Sequence, residues 1–213
     1  MDVIYLSNRN QNLIFLLVVL WGMVGVFSCL IPMHDYSATD LENIGALPKY
    51  ELYNGNIFTY VLVGIKSIFI HTSIVHLVGN MWLITTGVIS LMYKNKAAYN
   101  IAIFLVGGVL GNLTFGFLPL DNSGTEWIVG ASSGGFALTG FVLMNVFFNK
   151  FRFENKLEKW GTGLCLFFAV MSVIDAYSYT TSNVANIAHL TGFIFGIIAF
   201  LVCYIKDLNQ VAA

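Results

Sequence analysis

Four polar side chains stand inside otherwise apolar stretches of this sequence: His76, Asn80, Ser132 and His189. A serine hydroxyl within reach of an imidazole is the minimum for a nucleophile activated by a general base. Side-chain amides, imidazoles and backbone N–H groups can donate to an oxygen that becomes negative during acyl transfer. Ser132 is therefore the candidate nucleophile and His189 the candidate base. His76, Asn80 and the Ser132 backbone N–H are the candidate oxyanion donors. Each residue also has a structural reading. Ser132 could cap a helix start, His189 could bond a backbone carbonyl, and His76 and Asn80 could cross-link helices.

The composition says what must position these groups. Apolar residues are 57% of the 213, and charged residues 10% against a usual share of about 25%. That excludes an ordinary soluble fold. A bilayer core about 30 Å thick needs roughly 20 apolar helical residues. Runs free of Asp, Glu, Lys and Arg suggest six spans: 13–31, 73–93, 98–118, 132–148, 161–175 (ending at Asp175) and 184–205. The expected fold is thus an all-α membrane bundle forming one domain over 1–213. With the N-terminus inside, the inner segments hold eight Lys and Arg (Arg9, Lys94, Lys96, Lys150, Arg152, Lys156, Lys159, Lys206), and the outer ones hold Lys49 and Lys66. This bias places both termini in the cytoplasm. The first span lacks a convincing cleavage site after it and reads as a retained helix.

A long first loop, 32–72, is acidic in its first half and apolar from 57 to 70. That apolar piece is short for a span and reads as interfacial or re-entrant. The second, fourth and sixth spans run outside to inside, which puts all four polar residues in the outer half of the bilayer. His76 and Asn80, four apart, share a helix face. Gly130, Gly134, Gly135 and Gly140 on the fourth span, with Ala188, Gly192 and Gly196 on the sixth, would let those helices cross closely. Such a crossing would bring Ser132 to His189.

Gly130-Ala131-Ser132, His76-Leu77-Val78-Gly79-Asn80 and Ala188-His189-Leu190-Thr191-Gly192-Phe193-Ile194-Phe195-Gly196 resemble the three signatures of rhomboid intramembrane serine proteases. His71 is similar to a histidine common in that family just ahead of the second helix. The resemblance implies a Ser132–His189 dyad without a carboxylate. It also implies an oxyanion hole of His76, Asn80 and the Ser132 N–H, and a half-embedded first loop. The implied substrates are single-span membrane proteins cut near the outer end of their helix, often after a small residue. No cofactor or metal is implied. The minimal six-helix form suggests a bacterial plasma (inner) membrane, with the site opening to the extracytoplasmic side. Two positions depart from the family pattern. Ser133 stands where a glycine usually follows the nucleophile, so two hydroxyls compete; the register of Phe136 and Gly140 favours Ser132. The first loop lacks a Trp-Arg pair, with Phe58-Thr59 nearest to one.

Other functions lack their residues. Ten Lys and Arg and a net charge of −1 leave no basic face for nucleic acid. The G-x-S-x-G reading of 130–134 needs a strand and a soluble α/β sheet. No H-E-x-x-H offers zinc ligands, and no pair of aspartates lies within spans. Cys29, Cys165 and Cys203 read as small buried hydrophobes. His34 and His71 read as structural, Asp175 as a solvated helix end, and Asn112 and Asn186 as inter-helix hydrogen-bonding groups. Trp21, Trp82, Trp127 and Trp160 are scattered, and some read as interface anchors. The rivals are a catalytically inactive rhomboid-like protein that binds membrane helices, and a small transporter or channel. The second would need intramembrane charges or inverted repeats, and neither is evident.

Overall fold

A computed structural model describes residues 21, 37–50, 53–91, 97–118, 126–148, 152–178 and 186–212. In the first loop, α1 (Ala38–Ile44) starts on a Ser37–Asp40 capping box and ends on Gly45. Strand β1 (Leu47–Pro48) follows, and further along the chain β2 (Trp127–Ile128) pairs with it antiparallel, Leu47 opposite Ile128 and Pro48 opposite Trp127. Helix α2 (Ile57–Ser67) forms from most of the short apolar piece. The Asn56 side chain caps it by accepting from the Thr59 N–H at 2.9 Å. Its 11 residues rise about 16 Å, half of a bilayer core. Tyr60, Gly64 and Ser67 face the protein, whereas Ile57, Phe58, Leu62 and Ile65 are exposed.

Five longer helices carry the remaining segments: α3 (Ile74–Leu91), α4 (Ala97–Phe117), α5 (Ser132–Phe148), α6 (Lys156–Ser178) and α7 (Asn186–Ala212). The bounds of α5 are those expected, and α4 differs by one residue. α6 and α7 outrun the expected 161–175 and 184–205. An apolar run stops at the first charge, whereas backbone hydrogen bonding continues into a polar helix end. Asp175 therefore lies within α6 rather than closing it.

Among the described residues three helices are long and apolar enough to cross a membrane: Ile74–Leu91, Ala98–Phe117 and Asn186–Ile205. They match the second, third and sixth expected spans. α5 has 17 residues, about 26 Å of rise, short of the roughly 30 Å core. α6 opens with Lys156, Glu158 and Lys159, which dilute its apolar character. The expected first span lies outside the described residues except for helical Trp21, whose indole N–H donates to Thr85 Oγ1 on α3 at 2.9 Å. Arg9, Lys94, Lys96 and Lys150, on which the orientation was partly read, also lie outside them.

α5 is central. It packs along α7 and against α4 and α3, and α3 packs against α6. A Cβ at Gly140, Gly192 or Gly196 would overlap the carbonyls of Phe193, Ser133 and Ala137 respectively, so the crossing of α5 and α7 depends on hydrogen at these positions. Ile84, Val88, Phe104, Ala137, Leu138 and Val142 fill the space between α3, α4 and α5. A second cluster of Leu47, Tyr60, Phe115, Ile128 and Ala188 fastens the first loop beside the segment leading into α5. The Tyr60 hydroxyl adds a bond to the Pro48 carbonyl at 2.7 Å.

Candidate active site

After β2 the chain turns sharply at Gly130, with φ +111°, where a Cβ is strongly disfavoured. Such a Cβ would also lie 2.7 Å from His76 Nε2 and 3.3 Å from Asn80 Nδ2. Gly130 thus lets the turn run directly against the start of α3. The Ala131 carbonyl accepts from the Gly135 N–H at 3.0 Å and closes the first turn of α5. Ser132 is then the first helical residue, and its hydroxyl is not the cap. Ser132 Oγ lies 2.7 Å from His189 Nε2 on α7, well within hydrogen-bond range. Phe136, one turn on and on the same face, stacks on the His189 ring with centroids 4.5 Å apart and planes 18° apart.

The α3 side is held at its first turn, where Ser73 Oγ accepts from the His76 N–H at 3.1 Å. Asn80 follows one turn later and is buried. His71, expected to be structural, contacts the site directly. Its Nε2 faces Asn80 Nδ2 at 2.8 Å and, at a longer 3.5 Å, the Ala131 backbone N–H. A backbone N–H can only donate, so Nε2 is the acceptor, and Asn80 presents its amide nitrogen to the ring. Burial, and secondarily the neighbouring His76, push the His71 imidazole down to about 3; a backbone hydrogen bond at Phe69 partly offsets them. The ring is therefore neutral and available as an acceptor. The second hydrogen on Asn80 Nδ2 is left for another acceptor. The His76 ring lies 4.9 Å from that of His71.

The two neighbouring serines part company. Ser133 Oγ donates to Asn112 Oδ1 on α4 at 3.0 Å, away from His189. Asn112 joins helices, as expected, bonding both Ser133 and Ser67. Asn186 is exposed at the start of α7. Cys165 is buried and Cys203 half-buried; Cys29 and His34 lie outside the described residues. Trp21, Trp82 and Trp160 are exposed. Among the described residues no group of three or more His, Cys, Asp or Glu could hold a metal ion. The sequence reading missed the contact between His71 and Asn80 and the part played by Ser67. The only signal for Ser67 was a hydroxyl inside an apolar stretch.

The family model for the rhomboid domain matches residues 57–206, more than half of the chain. No curated protein matches, and no solved structure does. The matched span takes in all three glycine-framed motifs and the turn that joins them, and the chain belongs to the rhomboid family.

Proposed function

We propose that this chain is an intramembrane serine protease with Ser132 as nucleophile and His189 as general base. The observation that carries the reading is the 2.7 Å hydrogen bond between their side chains, in a member of the rhomboid family, whose members are generally intramembrane serine proteases. His189 Nε2 takes the hydroxyl proton as Ser132 Oγ attacks a peptide carbonyl. The tetrahedral intermediate places its negative oxygen toward His76, Asn80 and the Ser132 N–H. His189 then gives the proton to the departing amine, leaving an ester on Ser132. A water, deprotonated by His189, releases the second product and restores the hydroxyl. Among the described residues no carboxylate contacts the imidazole, and the stacked Phe136 ring and the hydroxyl orient it.

The proposed setting is a six-span protein with cytoplasmic termini in a bacterial plasma membrane, its site opening to the extracytoplasmic side. The proposed substrates are single-span membrane proteins cut near the outer end of their helix. An extended peptide carbonyl is needed at the site, so the substrate helix must unwind locally there.

The test is cleavage of a single-span reporter by purified protein in detergent, beside Ser132→Ala, Ser133→Ala and His189→Ala, with fluorophosphonate labelling in parallel. Loss of both activities in Ser132→Ala and His189→Ala, with labelling slowed but still present in Ser133→Ala, supports the assignment. Cleavage by Ser132→Ala at the wild-type rate rejects it. A wild-type protein that neither cleaves nor labels is a catalytically inactive member of the family.

A further inference from the structure

Behind the candidate nucleophile runs a second polar chain that the chemistry above does not use. Ser133, Asn112 and Ser67 are each 0% exposed. Ser133 Oγ donates to Asn112 Oδ1 at 3.0 Å, Asn112 Nδ2 donates to Ser67 Oγ at 2.9 Å, and Ser67 Oγ donates to the Gly64 carbonyl at 2.9 Å. The chain ties α5 to α4 and α4 to α2. Ser67 has a second hold: its backbone carbonyl accepts from the Gly130 N–H at 2.9 Å. One residue of the first-loop helix thus grips the turn at both ends, at 130 by its carbonyl and at 133 through Asn112. Ser132 lies between the two grips.

The surroundings leave little slack. A Cβ at Gly111 would come within 2.6 Å of both Ser133 Cβ and the Ala188 carbonyl, and Gly192 lies against the Ser133 carbonyl. Ala188 is the residue before His189, so the same contact set borders both halves of the dyad. Ser133 also sits in the first turn of α5, with no helical carbonyl four residues behind it. Its buried hydroxyl must find a partner elsewhere or remain unsatisfied.

We propose that Ser133, Asn112 and Ser67 are positioning residues that set Ser132 Oγ against His189, making the first-loop helix part of the working site. The inference rests on the protease reading. An error of about 1 Å in nucleophile placement costs on the order of 100-fold in rate, so loss of one grip shows in turnover rather than in substrate affinity.

The experiment uses the full chain in detergent with Ser133→Ala, Ser67→Ala and their double variant. It reads kcat and KM for a single-span reporter, the rate of fluorophosphonate labelling, and Tm. Each single variant is expected to lower kcat and labelling about tenfold or more, with KM unchanged. The double variant should be no slower than the slower single one, because both break one chain. Ser67→Thr, which keeps the hydroxyl, should recover most of the rate. Should Ser133→Ala fail to fold, Asn112→Leu interrupts the same chain. Wild-type kcat in both single variants overturns the proposal, as do losses that multiply in the double variant. So does a fall in Tm with kcat preserved, which would make the chain packing alone. A wild-type protein without cleavage or labelling overturns the protease reading itself, and is told apart because no variant comparison is then needed.

Discussion

Midway along α5, Thr139 donates its hydroxyl to the Gly135 carbonyl one turn back at 3.0 Å. On α3, Thr86 donates to the Trp82 carbonyl at 3.0 Å and Ser90 to the Thr86 carbonyl at 2.6 Å. All three are buried, and each gives its proton to a carbonyl of its own helix, although the Thr139 oxygen also meets Cys165 Sγ on α6 at 3.3 Å. At the N-terminal end of α5 the pattern is reversed. Ser132 bonds α7, Ser133 bonds α4, and Asn80 reaches His71 outside its helix. The physical reason is position. A hydroxyl with a helical turn behind it can return its proton to the carbonyl four residues back. Ser132 and Ser133 open their helix and have no such turn. Their protons must go across to other elements, and there they meet groups that can do chemistry. By direction of donation these buried hydroxyls are thus of two kinds, and Ser67 combines them, donating to Gly64 within α2 while accepting from Asn112 on α4.

Breaking the cross-helix set should show this contrast. Ser132→Ala or His189→Ala should lower cleavage by about 10⁴-fold or more, as removal of a nucleophile or its base does elsewhere; reporter cleavage and fluorophosphonate labelling read it. Asn80→Ala should lower kcat by roughly 10²- to 10³-fold, the effect of losing one oxyanion donor, with little change in KM. An Asn80→Ala protein at wild-type kcat would return Asn80 to a helix cross-link.

His71→Phe should lower kcat by about tenfold through a misplaced Asn80 amide. It also carries a pH signature. Folded His71 takes a proton only near pH 3, while in the unfolded chain it does so near 6.5. Between those values the unfolded chain binds the extra proton, so stability is complete above about pH 6.5 and falls as pH drops toward 3. Thermal melts of His71→Phe across that window should slope less than wild type. Equal slopes would show that His71 does not carry this dependence. At the small end, Thr86→Val should leave kcat unchanged and cost less than about 1 kcal/mol of stability, measured by thermal melting. A clear fall in kcat there would end the distinction between the two kinds of hydroxyl.

Much of this was legible in the sequence where a pattern repeats locally. The α5 bounds followed from an uncharged run that a glycine turn opens, and the four polar residues stood out because their surroundings are apolar. The ends of α6 and α7 were not legible, since helices cross the apolar boundary that the reading used as a stop. Among the described residues three helices reach spanning length and apolarity, whereas five of the six expected spans fall there. A central helix such as α5 is covered by neighbours and need not be long. The β1–β2 pairing is only two residues deep and leaves no alternation to read. The link from Ser67 through Asn112 to Ser133 joins residues 45 and 21 positions apart, which no local period reports.

The distance along the chain between Ser132 and His189 has a consequence during synthesis. The two are 57 positions apart, and His189 lies on α7, after every other described element. At about 5 to 20 residues per second, the serine emerges some 3 to 11 seconds before its histidine. Until α7 is made and seated against the glycines of α5, the Ser132 hydroxyl lacks its His189 partner. On the proposed reading, a nascent chain threading into the bilayer beside other unassembled helices carries a silent nucleophile, and proteolysis would begin only when the fold closes over it.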